Sequence, residues 1–343
     1  MKFFRPCLSS LAALFVFVAA SASALAAGEV NLYSARQEVL IRPLLDRFSA
    51  ETGVKVNLVS AKADALLQRL KSEGRNSPAD VLLTVDAGNL HAAKAAGVLQ
   101  PISSQVLEEI IPAFLRDPDG HWFSLSLRAR TIMYVKDKVS PDELSSYEAL
   151  ADEKWRGRIC IRSYEHVYNQ SLLASMIATL GEQATEEWAR KFVDNFARKP
   201  QGGDRDQIKA AAAGMCDIAI ANTYYLAQMM TSQKSYEKEA AAKLAVFWPN
   251  QADRGTHVNV SGVGITAAAP HRENALRLLE FLLGEEAQHW YADANQEYPV
   301  RKGVSLSAVL QSFGEFRADE LNLARLGENN AAAVRLLDRV GWR

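Results

Sequence analysis

From Glu29 to Ala96 the chain alternates short apolar runs with amphipathic ones, and no other feature restricts its fold so strongly. The segments "EVNLYSA", "VKVNLVS" and "ADVLLTV" predict strands, while Val39 to Thr52, Ala63 to Glu73 and Asn89 to Ala96 predict helices. Leu40, Leu44 and Phe48 recur at helical spacing, as do Leu66, Leu67 and Leu70. Gly53, Gly74 and Gly97 stand where helix ends favour a left-handed residue. Pro43 tests the first helix, since proline is tolerated near a helix start and kinks a helix deeper in. Such alternation implies an α/β fold with a mostly parallel sheet covered on both faces.

A break follows at "PISSQVLEEIIPAFLRDPDGHW", and "WFSLSLRARTIMYV" then offers an extended run long enough to cross between lobes. Beyond Ser140 the alternation resumes with "RICIRS" and "CDIAIAN" as strands and Asn169 to Leu180, Thr185 to Phe196 and Tyr224 to Thr231 as helices. "KLAVFWP" and "THVNVSGVGITA" read as further strands, the second as a return crossing, before helices at Glu273 to Leu283 and Glu285 to Asn295. Two lobes joined by crossing strands form a clamshell, whose cleft is a favoured ligand site.

The N-terminus reads as an export signal: Lys2 and Arg5 precede the apolar run "LSSLAALFVFVAA", and Ala24-Leu25-Ala26 fits a cleavage site, so residues 1–26 are expected to be removed. That apolar run is shorter than the ~20 residues of a membrane span, so no membrane insertion is expected. Removal takes two positive charges and no acid, changing the net charge from −1 to −1 − 2 = −3, which offers nucleic acid no attraction. Of the cysteines only Cys160 and Cys216 remain, and two thiols in an exported chain point to a disulfide rather than to a metal or catalytic site. No G-x-S-x-G elbow, Walker loop or dinucleotide fingerprint occurs, and no enzymatic reaction is expected.

In "IAIANTYYLAQMM" Tyr224 and Tyr225 sit side by side where a strand yields to a helix, the end at which open α/β sheets bind ligands. Tyrosines also commonly pack their rings and leave the hydroxyl at a wet edge. Phenolate oxygen is a hard anionic donor suited to hard cations, and three phenolates would balance one ferric ion. In "RSYEHVYNQSLLAS" Tyr168 precedes a helix at a second strand-to-helix boundary, with Tyr164 and His166 as competing candidates.

The segments "VNLYSAR", "ETGVKVNLV", "YNQSLLAS", "IANTYYL", "RGTHVNVSGVG", "EYPV" and "SFGEF" resemble, in order, the ferric-iron-binding periplasmic proteins of bacterial iron ABC transporters, in their cyanobacterial-type branch. The resemblance covers essentially the whole mature chain. It implies a two-lobed periplasmic binding protein fold (type II) with interlobe hinge strands. Residues 27–127 plus about 252–300 would form the N-terminal lobe, and about 128–251 plus 301–343 the C-terminal lobe. It implies Tyr168, Tyr224 and Tyr225 as ligands of Fe3+, location in the periplasm and an inner-membrane iron ABC permease as partner. Nothing in the sequence suggests a lasting assembly, so a monomer is expected.

Relatives carry a histidine, often followed by tyrosine, at the places held here by Gln37 and Glu38, and a glutamate used by other members falls on Val85, beside Asp86. The first lobe therefore lacks the usual imidazole. Glu38 is the natural hard replacement and Gln37 a weaker neutral one, although a first-turn carboxylate favoured by the helix dipole explains Glu38 equally well. Arg128 and Arg130 are candidate clamps for carbonate or another small anion beside the iron, strand alternation being read as turning one of them to the cleft. Arg198 is a candidate for favouring the phenolate forms from behind the ligands. A bridge between Cys160 and Cys216 would tie together the loops that carry the tyrosines. The competing reading is the same fold holding an organic or oxyanion solute.

Overall fold

The computed structural model describes residues 28–343; the expected export signal lies outside the described residues. Nine strands are present among them: β1 (Glu29–Ser34), β2 (Lys55–Ser60), β3 (Val81–Val85), β4 (Phe123–Val135), β5 (Ile159–Cys160), β6 (Ile218–Asn222), β7 (Leu244–Phe247), β8 (Val258–Ile265) and β9 (Tyr298–Pro299). Their order is β2-β1-β3-β8-β4-β6-β5, with β7 and β9 also paired to β4. β1 lies parallel to β2 and β3, and β5 parallel to β6, as the strand-helix alternation requires. β8 and β4 are inserted antiparallel between those parallel groups.

β4 joins the two halves of the molecule. Its residues Phe123 to Ala129 pair with β8, and Arg130 to Tyr134 pair with β6. One continuous strand therefore runs from the first lobe into the second, the hinge arrangement of a two-lobed α/β protein. All of β6 and β8 is buried; β6 is an apolar run up to Asn222, whereas β8 mixes Val258, Val260, Val263 and Ile265 with buried Asn259 and Ser261. Each fully buried leucine or valine in such strands contributes about 1.5–3 kcal/mol relative to exposure. The second lobe is closed by the chain end: Trp342 is fully buried, packs against Phe192 and Phe196, and donates its indole N–H to the Arg162 carbonyl at 3.2 Å.

Several elements differ from the expected ones for identifiable reasons. The first helix does not begin at Val39; Glu38–Leu40 forms one tight turn, Ile41 interrupts, and the α-helix is Arg42–Thr52. Pro43 lacks an N–H and is accommodated in the first turn, where that donor has no partner anyway. Gly53 (φ 71°) and Gly97 (φ 68°) end helices in the left-handed region, as expected. "RICIRS" contributes only Ile159–Cys160 to the sheet, because the carbonyls of Arg162 and Ser163 bond to the Asn169 side chain instead of a neighbouring strand. Cys160 and Cys216 form the disulfide, with Cα atoms 5.9 Å apart.

Candidate metal centre

The helix Val167–Leu180 starts one residue before Tyr168, and Thr223–Met230 starts one residue before Tyr224. Tyr168 thus lies inside the first turn rather than ahead of it, because His166 caps the helix by accepting the Tyr168 N–H on its Nδ1 at 3.4 Å. Two helix N-termini, each with a partial positive charge, consequently converge on the same space. The Tyr168 and Tyr224 hydroxyls meet there at 3.0 Å, and the Tyr225 ring lies 4.2 Å from that of Tyr224. All three line a cavity of about 530 Å³ with Arg36, Gln37, Val85, Arg128, Arg205 and Glu297.

Charge in this cavity is unbalanced toward positive. Glu297 takes Arg36 at 3.0 Å and Arg128 at 3.7 Å, and Ser126 donates to the same carboxylate. All three charged groups are buried, so one carboxylate faces two guanidinium ions. Burial alone would raise the Glu297 carboxyl, but Arg36 and Arg128 outweigh it and hold the group below the ordinary carboxylate value. Arg128 lies 5.9 Å from the Tyr224 ring, Arg162 5.5 Å from that of Tyr168 and Arg205 5.9 Å from that of Tyr225. The cations favour anionic oxygens at the tyrosines.

Burial pushes the Tyr168 and Tyr224 hydroxyls well above the ordinary phenol value; repulsion from neighbouring phenolates adds to this, and Arg128 opposes it. Without a cation both stay protonated, and their short contact is an O–H···O hydrogen bond. A cation that gathers them must displace the protons. Of the competing candidates, His166 is held neutral, its pKa lowered to about 4 by burial and by Arg162, and neither it nor Tyr164 lines the cavity.

Three expected positions need correction. The Glu38 carboxylate is turned away and held by Arg42 four residues on, at 2.6 Å, while Gln37 lines the cavity. Arg130 is absent from the cavity wall because its guanidinium is committed to Asp204, Asn222 and Asn169 beneath the tyrosines. Strand alternation does not separate it from Arg128, since residues two apart share a face; the segment lying across from each decides its partners. Arg198 lies away from the cavity, bonded to Gln207 at 3.1 Å and to the Asp206 carbonyl. Sequence reasoning missed Arg36, Arg205 and Glu297. Arg36 ends "VNLYSAR" and Glu297 opens "EYPV", which were legible as segments but not as partners.

The lobes touch on either side of the cleft. Ser171 donates to Asp86 Oδ1 at 2.7 Å, and Gln228 donates to the Asn295 carbonyl at 3.1 Å. Asp86 holds a positive φ of 79° and caps the helix Ala87–Ala95 by accepting the Gly88 N–H. Asn259 secures it from β8 at 2.7 Å.

Residues 76–312 match the model of the family described as bacterial extracellular solute-binding protein. Over 315 residues, covering 92% of this chain and 88% of the relative, the sequence is 51% identical to Iron uptake protein A1 of Synechocystis sp.. The fold matches a Trichodesmium protein (IdiA, FutA) solved in complex with iron and citrate ligands, with a TM-score of 0.90, 52% identity and coverage of 92% of this chain and 100% of that one. A Bordetella ferric binding protein matches with a TM-score of 0.85 at 46% identity, covering 92% of this chain and 99% of the other. By matched span, identity and fold alike, this chain belongs to the bacterial extracellular solute-binding protein family.

Proposed function

We propose that the protein captures ferric iron in the periplasm, closes its lobes on the ion and delivers it to an inner-membrane ABC permease, catalysing no reaction. The observation that carries this reading is the convergence of the Tyr168 and Tyr224 hydroxyls at 3.0 Å, with Tyr225 beside them, at two helix N-termini. As phenolates the three oxygens neutralise Fe3+, the biological cation acid enough to displace protons from buried phenols. Arg128 serves as clamp for carbonate or another small anion that completes the shell with water, and Gln37 is the first lobe's neutral contribution. The lobes are residues 27–127 plus about 252–300 and about 128–251 plus 301–343; the change of partner along β4 between Ala129 and Arg130 supports the division. The protein acts as a monomer.

The excess of cations in the cavity favours a second reading, in which the solute is an organic anion or oxyanion held by Arg36, Arg128 and Arg205. Colour separates the two. Ferric citrate added to the metal-free mature protein produces a visible phenolate-to-iron charge-transfer band under the first reading, and a protein that stays colourless while citrate can donate iron excludes it.

A further inference from the structure

Beneath the tyrosines lies a buried network that a bound ion would not touch. Arg130 is 2% exposed, and its terminal nitrogens reach Asn169 Oδ1 at 2.6 Å, Asn222 Oδ1 at 3.1 Å and Asp204 Oδ2 at 3.2 Å. Asn169 is the residue after Tyr168, and Asn222 is the cap of the helix that carries Tyr224 and Tyr225. Asp204 also accepts the Asn222 backbone N–H at 2.9 Å and Arg162 at 3.3 Å. One guanidinium therefore touches the starts of both ligand-bearing helices.

Two physical facts make this more than a packing detail. A buried ion pair is seldom more stable than apolar side chains of the same volume, so stability alone is a poor reason for placing Arg130 and Asp204 here. A guanidinium is also planar, with donors in a fixed fork, so it sets the separation of two acceptors in a way a lysine ammonium cannot. We infer that Arg130, neutralised by Asp204, is a positioning residue that sets the spacing of the Tyr168 and Tyr224 oxygens by holding Asn169 and Asn222. The inference rests on the ferric reading above. It differs from an anion-binding role, because the fork acts through protein amides and not on a ligand.

The test uses the full mature protein as Arg130→Lys, which keeps the charge, and as Asn222→Ala, which cuts one arm and leaves the Arg130–Asp204 pair. Arg158→Lys is the control, an ion pair to Asp217 elsewhere in the same lobe at 2.7 Å. Expected for both test variants is a charge-transfer band displaced from the wild-type wavelength, with iron lost to a competing chelator about ten- to a hundredfold faster, the scale on which small misplacements are felt. The control should match wild type. A metal-free crystal structure of each test variant should show the two hydroxyls separated beyond hydrogen-bonding range, against 3.0 Å in the parent. Wild-type band position and release rate in both variants, whatever their melting temperatures, would overturn the inference. Should Arg130→Lys not fold, Asn222→Ala alone decides. A colourless wild type would instead sink the ferric reading, and the hydroxyl separation in the metal-free variants would still decide the positioning role.

Discussion

Replacing Tyr224 by Phe keeps the ring, its packing and the helix start, and removes one oxygen from the proposed centre. At pH 7 an ordinary phenol costs about 4 kcal/mol to ionise, from three units between pH and pKa at 1.36 kcal/mol each. Burial makes Tyr168 and Tyr224 costlier still. With their oxygens 3.0 Å apart, two bare phenolates would repel by about 5.5 kcal/mol at an effective dielectric of about 20. Tyr168 and Tyr224 are therefore protonated in the metal-free site, and iron binding expels one proton for each phenolate formed. The logarithm of the conditional binding constant should rise by about three for each pH unit in the wild type and by about two in Tyr224→Phe, three oxygens against two. The assay is titration with ferric nitrilotriacetate between about pH 6 and 8, followed at the charge-transfer band and corrected for protonation of the competitor and hydrolysis of free iron. Without iron the variant should differ in stability by only about 1 kcal/mol, since it loses one neutral hydrogen bond together with the burial of one hydroxyl. Equal slopes for wild type and variant, with equal band intensity, would refute the reasoning, because Tyr224 would then lose no proton to the ion.

Glu38→Ala should leave iron affinity and spectrum unchanged, because the carboxylate is spent on Arg42; a weaker or shifted band would return Glu38 to the shell. Buried His257 stays neutral, its pKa lowered to about 3 by burial and then by Arg130 and Arg254. Between that value and the unfolded value of about 6.5 the unfolded chain binds more protons, so this contribution is complete above about pH 6.5 and is lost on acidification toward 3. Chemical denaturation of His257→Gln between pH 4 and 7 should show a shallower fall in stability than wild type, and identical slopes would exclude the assignment. The disulfide closes a sequence separation of 56 residues, which chain entropy values at about 4 kcal/mol. The Cys160→Ala, Cys216→Ala double variant should unfold at correspondingly lower denaturant, whereas an unchanged midpoint would mean that the bridge does not constrain the unfolded chain.

Much of this protein is written locally. Alternating strands and helices, glycine helix ends and a tyrosine pair at the carboxyl end of β6 depend on side-chain period and on residues within a few positions of one another, which a sequence displays directly. Tyr168 is harder, since Tyr164 and His166 compete with it locally; resemblance singled it out, and the meeting of two helix starts places it against Tyr224. Long-range charge pairing is illegible by any local rule. Arg36 meets Glu297 across 261 positions, Arg128 shares that carboxylate, and Arg130, two residues on and on the same strand face, turns to Asp204 instead. Strand period states which way a side chain points, while only the assembled lobes decide what stands opposite it. A buried charge takes whichever counter-ion the fold brings within reach, because leaving it unpaired costs several kcal/mol.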